Sequence, residues 1–222
     1  MPSRLPRADR LAWGPYLTQR DQWPATGRHI LAQYDDETVI VYQAYRPEIA
    51  RWAVEHQQFG GPWSFERMSW IKPNFLWMMY RCGWAQKPGQ ERVLAVRIDR
   101  AGFETILSQA VATSYWPDVH GPDRNAWRRL GKASPVRLQW DPDHSPTGNK
   151  LERRAIQLGL RGTATRRYAL EWTREIRDIT PQVIEQRSNA RPARHEHLMT
   201  PLERVYVPAD PAVRDRLRLD TV

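Results

Sequence analysis

The chain has 222 residues, 41% hydrophobic and 27% charged, with eleven Trp, eight Tyr, four Phe, one cysteine (Cys82) and a formal charge of +9. That length and aromatic content fit one compact domain with a buried core and exclude disorder throughout, while a lone cysteine excludes an internal disulfide and a Cys-based zinc site and suits a reducing compartment. The longest apolar run, residues 75–79, is far too short to cross a bilayer, and the N-terminal residues lack the apolar stretch of a signal peptide, so a cytoplasmic protein with no membrane partner is expected.

Residues 1–26 are rich in Arg and Pro and read as an arm that Trp13, Tyr16 and Trp23 tack onto the body. Residues 28–34 and 38–44 read as two strands of a hairpin around the acidic turn Asp35-Asp36-Glu37. In the second strand the two-residue period sends Ile40, Tyr42 and Ala44 one way and Val39, Val41, Gln43 and Tyr45 the other. Pro47 suits a first helical position, with Ile49, Ala53 and Val54 inward as far as about Gln58, where Gly60-Gly61-Pro62 stops the helix. Pro73 then predicts a helix over residues 72–84 with Ile71, Phe75, Met78, Met79 and Cys82 on a core face. Its second face carries Trp70, Asn74, Trp77, Arg81 and Trp84. Such a stripe suits stacking of a base or nicotinamide while the guanidinium meets a phosphate; the plainer alternative is a helix buried on both faces, with Arg81 paired to a carboxylate.

Residues 92–98 alternate as a strand, and Asp99 is placed to cap a helix carrying Phe103, Ile106, Leu107 and Ala110. Residues 136–140 and 155–160 are two more strands around a turn-rich stretch. Thr163 opens a helix with Tyr168, Trp172 and Ile176 in register, and Thr180-Pro181 opens a short one. Residues 188–222 lose periodicity and read as a tail or extended wrap, which leaves residues 27–187 as a single α+β domain. The architecture expected is a mixed, mostly antiparallel split sheet with packed helices.

The charge is concentrated. Residues 124–177 hold thirteen Arg and Lys against five Asp and Glu, while the remainder is nearly balanced. A basic patch of this kind suits a polyanionic partner, DNA or RNA, because neutralised phosphates release counterions. Only Lys72, Lys87, Lys132 and Lys150 are lysines, and an arginine excess also arises from codon composition or from a merely solvated face. Phosphate loops, dinucleotide glycine fingerprints, nucleophile elbows and paired metal-ligand spacings are all absent, and no metal is expected.

The words Arg67-Met68-Ser69-Trp70-Ile71-Lys72-Pro73-Asn74-Phe75-Leu76-Trp77-Met78-Met79-Tyr80-Arg81-Cys82-Gly83-Trp84, Val41-Tyr42-Gln43-Ala44-Tyr45, Gln139-Trp140-Asp141-Pro142 and Arg154-Ala155-Ile156-Gln157-Leu158-Gly159-Leu160 resemble a bacterial family known as domain of unknown function 4291. The likeness covers roughly residues 28–180 and implies no established reaction. A cation on a first strand, a tyrosine on a second and an acidic or amide residue on a late strand are also similar, in arrangement alone, to the ADP-ribosyltransferase fold. That resemblance implies NAD as substrate, held between two small sheets. Arg28 and Lys72 would hold phosphates; Tyr42 or Tyr45, with Trp77, would stack the ring; Arg81 would add charge; Gln157 or Glu152 would orient the ribose as positive charge develops there, and Asp141 ends the neighbouring strand. The resulting expectation is transfer of ADP-ribose from NAD to a nucleic acid. A non-catalytic nucleic-acid-binding module that stacks bases on Trp is the rival, and an interaction protein without a ligand a third possibility.

Overall fold

The computed structural model describes residues 11–221 and shows an α+β fold built from two small open sheets and two ribbons. The first ten residues of the expected arm, and Val222, lie outside the described residues. The strands are β1 (Trp13–Pro15), β2 (Ile30–Ala32), β3 (Thr38–Tyr45), β4 (Ser69–Ile71), β5 (Arg92–Asp99), β6 (Ala110–Ala112), β7 (Val136–His144), β8 (Lys150–Leu160), β9 (Thr173–Asp178), β10 (Met199–Pro201) and β11 (Arg204–Tyr206). The helices are α1 (Tyr16–Arg20), α2 (Pro47–His56), α3 (Phe75–Cys82), α4 (Arg100–Gln109), α5 (Pro117–His120), α6 (Arg124–Ala133), α7 (Thr163–Arg167), α8 (Thr180–Arg187) and α9 (Pro211–Leu217).

One sheet has the order β3-β5-β9 and is wholly antiparallel; the other has the order β4-β8-β7-β6, with only β6 and β7 parallel. The two sheets meet at a bridge where Tyr42 N donates to Lys72 O (2.7 Å) and Lys72 N donates to Tyr42 O (3.3 Å). The alternation along β3 decides which residue enters which core. Val39 and Val41 join Val96, Ile98, Leu138 and Leu158 in the cluster that fills the space between the sheets. Ile40 and Tyr42 join Phe75, Met78, Met79 and Cys82 in a second cluster behind the three-stranded sheet.

Four local expectations give way to longer-range pairing. Residues 28–34 and 38–44 meet as a hairpin only at its tip, where Tyr34 and Val39 form an isolated antiparallel bridge and Ile40 N donates to Gln33 O (2.9 Å). The Asp35 turn is present, its carboxylate accepting from the Glu37 and Thr38 N–H groups, but β2 pairs with β11 and β3 pairs with β5 over eight positions. The helix opened by Thr163 stops after one turn, passes through a π turn at Tyr168–Trp172 and becomes β9, so Ile176 is a strand residue. Pairing with β5 and a two-way grip from the Gln57 amide, which donates to Ile176 O and accepts from Ile176 N, favour the extended form. Asp99 begins α4 without capping it, because its carboxylate is held in a fork by Arg174 (2.6 and 2.7 Å). Ile71 and Trp70 belong to β4 rather than to the helix, which starts only at Phe75 with the Asn74 side chain accepting from Trp77 N.

Residues 188–221 return to the first part of the chain. β10 pairs with β1, β11 with β2, and the Gln19 amide donates to Gly14 O and Thr200 O while accepting from Glu203 N. Arg153 and Asp143 form a buried ion pair (2.7 Å) under Trp23, with Arg153 also donating to Pro24 O. Glu203 is buried against the start of α3, accepting from Phe75 N (2.6 Å) and Asn74 Nδ2 (3.3 Å).

Burial lifts the Glu203 carboxyl well above its ordinary 4.5, against the opposing pull of Phe75 N–H. The folded state therefore holds this proton more tightly than the unfolded chain, and the associated stability, complete below 4.5, is lost as pH rises through the folded value. Urea unfolding of Glu203→Gln, which mimics the protonated acid, should lack that part of the decline, a difference in slope of up to about 1.4 kcal/mol per pH unit. Parallel stability profiles for the two proteins would show that Glu203 is ionised in the fold.

Candidate functional site

Every second residue of β7 is polar. Arg137, Gln139 and Asp141 point to the outer face of the four-stranded sheet, while Val136 and Leu138 point inward. On β8, Gln157 lies directly opposite Gln139, and Gly159 opposite both Arg137 and Trp70. A glycine is required at that place: a Cβ there would come within 3.0 Å of the Trp70 indole and 2.7 Å of Met68 Sδ, so the bare backbone lets Trp70 close down on the sheet. α3 flanks this face at one end, where Tyr80 stacks on His144 (3.5 Å) and Trp84 Nε1 donates to Pro146 O. α6 flanks it at the other, where Trp127 Nε1 donates to Ala112 O.

Between the two helices a charged cluster forms. The Asp141 carboxylate accepts from Gln157 Nε2 (2.7 Å) at one oxygen and from Gln139 Nε2 (2.8 Å) at the other. Lys72, carried here by the bridge to Tyr42, is only 5% exposed. Its Nζ lies 5.1 Å from the centre of the Trp77 ring and 3.4 Å from Trp70 O. Burial, reinforced by the positive charge of Arg81, lowers its pKa to about 7; Asp141 pulls in the opposite direction. The amine is thus poised between its charged and neutral forms near neutral pH. Trp70, Gln139, Asp141 and Gln157 are half-buried and reach solvent.

The remaining candidates lie elsewhere. Tyr45 sits behind β4, on the inner side: its hydroxyl meets Ser69 Oγ (3.2 Å) and accepts from Trp63 Nε1 (2.9 Å), and burial pushes its pKa to about 12. Tyr42 is fully buried against Phe75, so only its main chain touches the cluster. Arg28 lies across the sheet, with its guanidinium 5.9 Å from the Trp116 ring. Glu152 is exposed, and the alternation along β8 sends it to the face opposite Gln157. The stripe expected along one helix is also dispersed. Trp77 and Trp84 are buried on different sides of α3, while Arg81 is exposed and donates to Gln90 Oε1 (3.3 Å) rather than to a carboxylate. Of the residues singled out from sequence, then, Lys72, Trp77 and Gln157 converge, with Arg81 at the margin. Gln139 and the central part of Asp141 were missed, although polar residues at alternate positions of an otherwise apolar strand were the available signal.

Two surface hollows do not include this cluster. One, of about 440 Å³, is bordered by Trp23, Gly27, His29 and Asp220; the other, of about 400 Å³, by Ala110, Leu130, Ser134 and Arg216. Among the described residues no three His, Cys, Asp or Glu side chains gather as a metal site, and no helix is long and apolar enough to cross a membrane.

Nuclear magnetic resonance of the Lys72 side chain should show titration near pH 7 instead of above 10. Asp141→Asn, which removes the charge that favours the ammonium, should move the midpoint lower still. A midpoint above 9 in the native protein would place the amine in water and dissolve the cluster.

A family model described as Domain of unknown function (DUF4291) matches residues 29–206. None of the curated proteins compared with the chain matches it.

Proposed function

We propose that this chain, a member of the DUF4291 family, is an ADP-ribosyltransferase-like enzyme that takes NAD on the outer face of the β4-β8-β7-β6 sheet and transfers its ADP-ribose to a nucleic acid. The observation that supports this reading is the convergence of Lys72, Trp77 and the doubly held Asp141 at the seam between two small sheets. Glycosyl transfer from NAD needs a flat ring partner, a cation for phosphate, and an anion beside the ribose; Trp70 with Trp77, Lys72 and Asp141 are groups of those three kinds.

In this scheme the bond between C1′ of the ribose and the nicotinamide nitrogen breaks, and nicotinamide leaves with the bonding electron pair. Asp141, oriented by two amide donors, stabilises positive charge on the ribose, and Gln157 acts through Asp141 as a positioning residue. An acceptor oxygen or nitrogen of the nucleic acid then bonds to C1′ and gives up its proton to solvent water. A bound phosphate would also draw the Lys72 pKa upward and hold the ammonium charged. Support for a nucleic-acid acceptor comes from α6, where Arg124, Arg128, Arg129 and Lys132 are all exposed beside the same face. Tyr45, Tyr42, Arg28 and Glu152 have no role in this scheme, for the positional reasons given above.

Incubation with labelled NAD and short DNA or RNA should transfer label. Asp141→Asn should reduce transfer on the order of 100-fold without loss of fold, the scale seen when one preorganised electrostatic group is removed. The exposed α6 also supports the rival reading, a binding module without catalysis. Nucleic acid that binds with steep salt dependence, while no label moves and NAD leaves the melting temperature unchanged, would establish that rival instead.

A further inference from the structure

Arg137 and Arg161 stand side by side where α6 ends over the sheet, and neither forms an ion pair among the described residues. Arg161, just beyond β8, donates through Nε to Ser134 O (2.9 Å) and through Nη2 to Gly131 O (2.7 Å) and Lys132 O. Those contacts cap the negative end of α6 and account for Arg161. They do not account for Arg137, whose guanidinium donates only to Ala112 O (3.2 Å) and lies half-buried beside a like charge. Burial and the charge of Arg161 together make the Arg137 cation less favourable than an ordinary one, and no acidic group offsets them.

The backbone is shaped around this guanidinium. A Cβ on Gly131 would fall 1.8 Å from Arg137 Nη1, so glycine in the interior of α6, where it weakens a helix, makes room for Arg137. Arg137 also shares the outer face of β7 with Gln139 and Asp141, the last about 13 Å along the strand at the usual rise per residue.

We propose that Arg137 and Arg161 form a clamp for a diphosphate at the α6 end of the outer face, the choice of a dinucleotide's diphosphate resting on the NAD reading above. Two guanidiniums without an acidic partner, one of them pinned and the other with unused N–H donors, match a doubly charged oxyanion better than they match each other. In this arrangement the diphosphate of one ligand lies between Lys72, on its nicotinamide side, and the arginine pair, on its adenosine side.

Inorganic pyrophosphate added to the full chain tests the clamp without requiring turnover. Calorimetry should show binding to the native protein in the micromolar to low millimolar range, weakened at least tenfold by Arg137→Met, while Arg51→Gln on the exposed side of α2 keeps native affinity. Gly131→Ala is the second variant: its added methyl displaces Arg137 Nη1 without removing any charge, and it should weaken pyrophosphate binding similarly. No pyrophosphate binding to the native chain, or equal binding by R137M, G131A and the native protein, would overturn the proposal. The NAD reading stands or falls separately. Pyrophosphate binding lost in R137M, with no transfer from NAD, retains the clamp and removes the transferase; transfer by R137M with a native KM for NAD removes the clamp and retains the transferase.

Discussion

Among the described residues, two main-chain hydrogen bonds between Tyr42 and Lys72 are the only ladder contact between the two sheets, and the arrangement of the polar cluster follows from them. Because β3 is locked to β5 over eight positions, Tyr42 has a fixed height and a fixed facing. Lys72 inherits both. Its main chain completes the seam, and its side chain must leave on the outer side, under Trp77 and toward Asp141, where little water reaches the amine. The lowered basicity of this lysine is therefore a product of strand register. It does not require a dedicated loop.

The same seam explains why the two tyrosines of β3 cannot both serve a ligand. Tyr42 and Tyr45 are three apart on a strand with a period of two, so one side chain enters the core behind β3 and the other the core between the sheets. Tyr45 there anchors a chain of hydrogen bonds through Ser69 and Gln43 to Tyr168, which ties β3, β4 and the π turn together from within. Satisfied buried networks of this kind rigidify a site from behind without touching what lies in front of it.

Much of the fold was legible from residue pattern alone. The alternation of Val39, Ile40, Val41 and Tyr42, the proline-led start of α2 and the strands over 136–140 and 155–160 depend on neighbours within a few positions and appear as the periodicity indicates, although β7 and β8 run further, to His144 and from Lys150. What local pattern does not carry is the choice of a distant partner. The 28–34 segment looks like half of a hairpin until β11 competes for its edge, and Ile176 looks helical until β5 offers a ladder. The cluster was partly legible for the same reason. Lys72 and Gln157 stand out as polar residues in apolar surroundings, but Gln139 gains meaning only once β7 and β8 are in register. Arg28 and Glu152 were attractive by residue type, but Arg28 bridges to Arg154 away from the cluster and the facing of β8 carries Glu152 to the other side.

Pairing of residue 13 with residue 201, and of residue 32 with residue 204, has a kinetic consequence. A ribosome must make nearly two hundred residues before either early strand meets its mate, so loop closure over that length is an entropic barrier late in the search. Until then the apolar Ile30-Leu31-Ala32 edge is bare, a template for another nascent chain. Chaperone dependence during synthesis, and loss to inclusion bodies when expression outruns folding, are the behaviour such a topology entails.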